Sequence, residues 1–534
     1  MELQVFFALI PILSIILLLI LFQWPVKKSM FWALLITIAI SIFYWKVPLL
    51  HLSAAATEGI VVATSILWIL LGAILMLEFM IISGAFQIIR SSFMRISNDR
   101  YILIIIISWF LGAFMEGIAG FGTPAAICAP LLVAVGFRPL ESVILSLIAN
   151  SIPVAFGAAG TPLIIGLESG IPQIDGNYEA YASTIAQIGT DTAFLNIFSG
   201  SLVPLLLLII YATSFDKRHT WKHAFRYWDI AIFAGISFTT ISYLIARYIG
   251  PEFPSMLGAP LSLMLTIILF KKKYQYNAVY ESDQSTAVSS YSYRDLLKAW
   301  APYVWVITLL LISRLDELPL KAWLLTHNIV WQRIFSTSIG ATFPILYSPG
   351  TFFMIVVLII WRFYLPYSRK TLSTVYQNTM KKVLSTLPVM LTSVPLVRIF
   401  IFSDVNTVGL LSMPGVLAHA ISELPVDFLP LASILIGALG SFLSGSATFS
   451  NMMFAYLQYE MATTSIKISP IHLLTLQTIG ASIGNMICIV NIIAACAVVG
   501  IKNQEGIILR NTFLPALLIT LIAFLVYTIG IKLF

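Results

Sequence analysis

Three ionisable residues sit inside apolar runs where charge is costly. Glu116 interrupts the segment Gly112-Ala-Phe-Met-Glu-Gly-Ile-Ala-Gly-Phe-Gly-Thr-Pro124. Glu78 lies about 8 Å by helical rise inside a span that ends near residue 83. Arg398 stands in the apolar run from Val394 to Phe402. An ionisable group at membrane depth is by default a functional hypothesis. A carboxyl group held in low dielectric can load a proton near neutral pH, which makes Glu116 the first candidate proton carrier and Glu78 the second. The competing roles are hydrogen bonding of Glu116 to nearby turn amides and a structural polar contact for Glu78. Arg398 either grips a substrate carboxylate with its planar fork or snorkels outward near Asp404.

A second set of residues could recognise an anion. Gly117, Gly120, Gly122 and Thr123 fall in the segment around Glu116, and Asn150 and Thr161 fall in the interrupted span that follows, Asn150-Ser-Ile-Pro153 then Gly157-Ala-Ala-Gly160-Thr161-Pro162. In the second half Gly445, Ser446, Thr448 and Asn451 form a similar stretch, followed by Gly480, Gly484-Asn485-Met486 and Asn491. Chain breaks inside helices expose N–H groups and positive dipole ends, which attract a carboxylate. Glycine lets the backbone approach the ligand, while hydroxyls and amides orient it. The same glycines also serve tight helix packing, and the same polar side chains also cap half-helices. At a constant offset of 328, Gly112, Phe114, Gly117, Ala119 and Phe121 match Gly440, Phe442, Gly445, Ala447 and Phe449. Paired Gly-interrupted hydrophobic segments in two halves of a chain point to the binding site of a secondary transporter.

Other chemistry finds little support. His219 and His223 have helical ligand spacing but lie in a basic loop with no third ligand, so no metal site is expected. Cys128, Cys488 and Cys496 all lie in apolar segments and suggest neither a disulfide framework nor a metal cluster. There is no phosphate-binding loop and no nucleophile–base constellation, so neither a cofactor nor an enzymatic reaction is expected.

The elements that position these residues must be membrane helices. Hydrophobic residues make up 59% of the 534, charged residues only 10%, and the mean hydropathy is +0.96, against about 25% charged in soluble domains. Apolar runs near 4–22, 29–45, 59–82, 139–165, 190–213, 229–249, 255–270, 299–313, 350–365, 383–403, 470–500 and 510–532 each approach the roughly 20 residues that cross a bilayer. The fold class is therefore an all-α integral membrane protein with about 12 transmembrane spans. The net charge of +7 reflects sidedness and not nucleic-acid binding. Taking Lys27-Lys28 as cytoplasmic puts Arg90, Arg95, Arg100, Arg138, the Lys217 to Arg226 cluster, Lys271 to Lys273, Arg362, Lys370, Lys381-Lys382, Lys502 and Arg510 on the same side. The first span then reads as a retained helix with its N-terminus outside, in a plasma-membrane protein.

That count closes only if residues 101–137 enter and leave on the cytoplasmic side and residues 428–460 on the outside. Two oppositely oriented re-entrant hairpins make an inverted-topology repeat. The predicted organisation is an N-terminal membrane repeat over 1–270, a polar cytoplasmic linker over 271–298 and a C-terminal repeat over 299–534. Residues 314–349 fit this pattern least well and are expected to form an outside, partly interfacial extension.

These residues carry a resemblance to a family. Ser83-Gly84-Ala-Phe86 with Ile89-Arg90-Ser91-Ser92, then Glu116-Gly117-Ile-Ala-Gly120-Phe121-Gly122-Thr-Pro124 and Pro153-Val-Ala-Phe-Gly157, resemble the L-lactate and glycolate permeases. Gly445-Ser446-Ala-Thr448-Phe-Ser450-Asn451 and Gly484-Asn485-Met486-Ile487 continue the likeness in the second half. The resemblance implies proton-coupled uptake of small 2-hydroxy monocarboxylates, and distant kinship with anion transporters that use paired hairpins and elevator-like motion. It also marks three departures: Ala447 stands where an Asp is usual, Asn485 where a Lys is usual, and Glu78 near a usual Lys. These bear on cargo and coupling. The expected partners are a small organic anion, a proton or alternatively sodium, and the lipid bilayer; a homo-oligomer is compatible with the sequence. A sodium-coupled carboxylate transporter, with Ser450-Asn451 and unwound carbonyls caging the ion, is the nearest alternative, ahead of an anion channel or a membrane enzyme.

Overall fold

The computed structural model describes the chain apart from residues 1, 23, 95–96, 98, 121–122, 169–177, 217–220, 277–291, 315–318, 365–368, 466–467, 503 and 534. The central part of the expected linker thus lies outside the described residues, as does Gly122. Among the described residues the fold is almost wholly helical, and eight helices are long and apolar enough to cross a membrane, or ten if each of two bent pairs forms one span. This is a multi-pass helical membrane protein. The bent pairs are Pro139–Ala149 with Pro153–Ile164, kinked by 62°, and Tyr181–Ser199 with Val203–Ser214, kinked by 41°. Arg100–Ala119 and Val426–Ser444, expected as hairpin arms, are each of spanning length, while the return arm Pro124–Ala134 is shorter. The segment that fitted the span pattern least well holds a short helix, Pro319–Thr326, and an antiparallel strand pair, Ile329–Trp331 with Ala341–Phe343.

The chain divides into two compact units, and each draws on both halves of the sequence. The first unit comprises Met1–Ile89 and Tyr291–Glu423. Its centre is the helix Leu49–Ile82, which packs along Arg369–Ile401 and Pro349–Ile359. Gly59 meets the backbone of Val394 and Pro395, so small residues bring the helices close where lipid offers no hydrophobic drive to associate.

The second unit comprises Arg90–Ser290 and Leu424–Phe534. Here the helix Leu429–Ser444 lies along Pro470–Met486, with Gly480 against the backbone of Ile434 and Gly484 against that of Ala438. Gly480 and Gly484, read from the sequence as interruptions, lie within a continuous helix, and their lack of a side chain serves this close crossing. The break comes later, at Ile487 and Cys488, before the helix Ile489–Val499.

Candidate functional site

The second unit contains a small cleft lined by Glu116, Gly120, Val154, Gly157, Ala158, Pro162, Gly445, Ser446, Ala447, Thr448 and Asn485. Four chain breaks build it. The helix Gly112–Ala119 ends at Gly120, whose φ of 57° and ψ of −157° suit glycine alone, and Gly120 N–H closes the last turn on the Glu116 carbonyl at 3.0 Å. The helix Leu429–Ser444 ends at Gly445, left-handed at φ 74°, and Ala447–Ser465 begins two residues later. The third break is Gly157–Ile164, whose first turn runs through Ala158, Ala159 and Gly160 at positive φ. Two consecutive non-glycine residues in this region are uncommon and strained, a feature that clusters at ligand sites. The fourth follows Asn485.

Glu116 is buried, and its Oε2 accepts a hydrogen bond from Asn150 Nδ2 at 3.0 Å. Its Oε1 lies against Gly157 so closely that any side chain there would collide with it. Among the described residues Glu116 enters no ion pair. Opposite it, the helix Ala447–Ser465 starts with the Ala447 and Thr448 amides taking no carbonyl from preceding described residues, and the Ser446 hydroxyl accepts from Phe449 N–H at 3.3 Å as a cap. The Thr448 hydroxyl has no protein partner among the described residues, although Thr448 is buried. Asn485 is held by hydrogen bonds on both ends of its amide. Its Nδ2 donates to the Gly445 carbonyl at 3.2 Å, its Oδ1 accepts from Asn491 Nδ2 at 2.9 Å, and Asn491 also donates to the Gly445 carbonyl at 3.3 Å. The cleft thus combines one carboxyl group, a helix start rich in donors and three amide or hydroxyl side chains, Ser446, Thr448 and Asn485. Among the described residues its lining holds no Lys, Arg or His.

The remaining sequence candidates take other places. Gly117 faces the backbone of Ser255 and Met256 and serves helix packing. Thr161 turns its hydroxyl back to the Ala158 carbonyl at 2.5 Å, fastening the strained turn. Asn451 donates to the Pro162 carbonyl at 2.9 Å and to Thr478 Oγ1 at 3.3 Å, binding the second-half helix to the cleft wall from behind. Asn150 touches Glu116 but is absent from the lining. The side chain of Thr123 lies outside the described residues, as does Gly122.

Arg398 and Glu78 belong to the first unit, and the cleft to the second. Arg398 pairs with Glu58, Nε to Oε2 at 2.8 Å, with both side chains buried. Glu58 escaped the sequence reading because the span was started at residue 59; by the criterion applied to Glu78, an acid in a long apolar run, it was visible. Glu78 contacts Lys382 Nζ at 2.5 Å and accepts from Asn378 Nδ2 at 3.1 Å. Removing one partner of a buried ion pair typically costs about 3–5 kcal/mol, because the other charge is stranded. Arg398→Met is therefore expected to lower the melting temperature of purified protein markedly, and the double variant Glu58→Gln, Arg398→Met to recover most of the loss. Equal melting of the single and double variants would refute the coupling.

Helices long and apolar enough to cross a membrane, some of them broken around a small polar cleft, are the arrangement that membrane transporters use. The family model for L-lactate permease matches residues 4–534, and the chain belongs to that family, whose members are transporters and not enzymes. It is 28% identical to a putative L-lactate permease of Haemophilus influenzae, with 93% of each chain covered. It is 29% identical to the L-lactate permease of Escherichia coli K12, covering 93% of this chain and 90% of that one. To the glycolate permease of the same strain it is 30% identical, covering 90% and 87%. Ala447 and Asn485, two of the three positions singled out above from the resemblance, line the cleft together.

Proposed function

We propose that this protein is a proton-coupled transporter of small 2-hydroxy monocarboxylates such as L-lactate or glycolate. The relatives named above support the cargo class. The observation that carries the coupling is the charge content of the cleft: among the described residues its lone ionisable lining residue is Glu116. Two unit negative charges about 4 Å apart repel by about 4 kcal/mol at an effective dielectric of 20, roughly a thousandfold in affinity. With no cation in the lining to offset this, an anionic cargo binds well only when Glu116 carries a proton, so cargo and proton load together. The amides of Ala447 and Thr448 and the Thr448 hydroxyl would receive the cargo carboxylate at a helix start. Asn485 and Ser446 are suited to the 2-hydroxyl.

The same region gives less support to sodium coupling. Ser450 Oγ donates to the Gly437 carbonyl at 2.7 Å, and Asn451 is committed to Pro162 and Thr478, so the polar groups suggested for an ion cage already hold helices together. Alternating access supplies the rest of the reading. The expected inverted-topology repeat, with about 12 spans, hairpins 101–137 and 428–460, the 271–298 linker and the N-terminus outside, would bring two oppositely oriented breaks to one site, and the placement of basic residues supports it. Reconstituted protein should accumulate labelled L-lactate or glycolate uphill when the interior is alkaline. Accumulation should persist when choline replaces sodium. Dependence on an imposed sodium gradient, with none on pH, would refute the reading.

A further inference from the structure

Asn150 presents an imbalance that the proposed function does not use. Its Nδ2 donates to Glu116 Oε2, while its Oδ1 is buried and makes no hydrogen bond. A buried acceptor without a partner costs roughly as much as a hydrogen bond lost, and such an atom in a folded protein calls for an explanation. Asn150 is 3% exposed and sits at the end of the helix Pro139–Ala149, just before the 62° kink that leads to the cleft wall. An ionised carboxylate needs donors, whereas a protonated one has an O–H that needs an acceptor. A primary amide carries both, at positions exchanged by a half-turn of its terminal bond.

We propose that Asn150 is a positioning residue for proton coupling, presenting Nδ2–H to ionised Glu116 and, after its amide turns, Oδ1 to the protonated carboxyl. The idle acceptor is then the half of the amide used in the other protonation state. Glu116 keeps a partner at the same point in space throughout the cycle, and its carboxyl stays seated against Gly157 while cargo enters and leaves. The inference rests on the reading of Glu116 as the proton site.

The surroundings leave Asn150 this task. On the elements packed against Gly112–Ala119, the titratable or charged residues are Cys128, Glu141 with its Arg138 partner, and Lys271 to Lys273, Tyr274 and Tyr276 at the far end of Pro254–Tyr276, with Glu252 just ahead of that helix. The turns Pro153–Phe156 and Gly157–Ile164 contribute none, and neither does the π-helical stretch Ile104–Leu111. Among the described residues Glu116 enters no ion pair, and its carboxyl takes its hydrogen bond from Asn150.

The test compares Asn150→Leu and Asn150→Asp in proteoliposomes loaded with unlabelled L-lactate. Exchange against external labelled lactate and accumulation driven by a pH gradient are both measured from pH 5 to 8. Leu has similar size but neither donates nor accepts. The expected result is exchange within a few-fold of wild type, with pH-driven accumulation at least about tenfold lower, the scale of stranding one buried polar group. A protonated Asp both donates and accepts, but an ionised one accepts only. Asn150→Asp should therefore accumulate lactate at the acid end of the range and lose it at a lower pH than wild type. Pure structural damage would lower exchange and accumulation together and leave the pH profile in place. Wild-type accumulation in Asn150→Leu overturns the proposal, as does a pH profile of Asn150→Asp that superimposes on wild type. Loss of exchange in both variants at every pH overturns it too, and assigns Asn150 to the cargo itself. Glu116→Gln run alongside separates the two levels: if that variant uncouples while Asn150→Leu does not, the Asn150 assignment alone falls; if Glu116→Gln still accumulates lactate, the reading of the proton site falls with it.

Discussion

Glu116→Gln is expected to exchange cargo between equal pools at a rate near wild type while losing pH-driven accumulation altogether. The two side chains have nearly the same shape, and Gln offers its own donor and acceptor to the Asn150 amide, so the seat against Gly157 and the close of the helix at Gly120 are kept. What disappears is the proton. A permanently neutral residue in the cleft also removes the like-charge repulsion that an anionic cargo otherwise meets, so binding should become independent of external pH. Exchange measured at pH 8 relative to wild type should rise, because wild-type Glu116 is more often ionised there than at pH 5. The measurement is counterflow of labelled lactate at several pH values beside net uptake under an imposed gradient. Accumulation at the wild-type level would remove Glu116 from the coupling role. Loss of exchange as well would show that the carboxylate is needed for binding or for structure.

Much of this site was legible before any coordinates. Glycine, proline and a carboxylate inside an apolar run cannot form an ordinary spanning helix, and membrane interiors tolerate broken backbone only where protein or a polar cavity satisfies it. Glu116, Gly120, Gly445, Ser446, Thr448 and Asn485 all line the cleft for that reason. Side-chain identity misled where it carried two uses. Gly117 aligns with Gly445 at the offset of 328, yet the left-handed turn falls at Gly120, three residues further on, and Gly117 is spent on Met256. An identity match reports residue type, and it does not report which residue leaves the helix. Gly480 and Gly484 failed similarly: a glycine that breaks a helix and one that admits a neighbouring backbone look alike in sequence.

Burial within a membrane also does not distinguish a cargo-binding charge from a paired one. Arg398 and Glu78 satisfied the same rule as Glu116, but each has an opposite charge at contact distance in the first unit. The partners Glu58 and Lys382 lie 340 and 304 residues away along the chain, and no local pattern announces pairs of that separation. The strained turn at Ala158 and Ala159 was hidden for another reason. Alanine favours right-handed helix, and here the fold overrides that preference between Pro153 and Pro162, where the chain has to fit behind the Glu116 carboxylate.

That fit yields the second large effect, expected from a single methyl group. Gly157→Ala places a Cβ on the position now occupied by Glu116 Oε1. The carboxyl must then swing away from Asn150 or the turn at Ala158 must retreat into the cleft, and overpacking of this kind costs about 1–3 kcal/mol. Uptake should fall roughly five- to 150-fold, while the amount of protein inserted in the membrane changes little, because the turn lies apart from the helix crossings that hold the unit. Gly506→Ala, where a new Cβ meets nothing within 4 Å, is the control and should transport normally. The decisive comparison is a double-variant cycle on exchange, which needs no coupled proton. If the clash acts through the carboxyl, Gly157→Ala should cost little once Glu116→Ala has emptied the seat, giving a strong coupling between the two positions. Independent, additive losses would mean that Gly157 supports the turn alone, and normal uptake in the single variant would show that the cleft does not depend on where Glu116 sits.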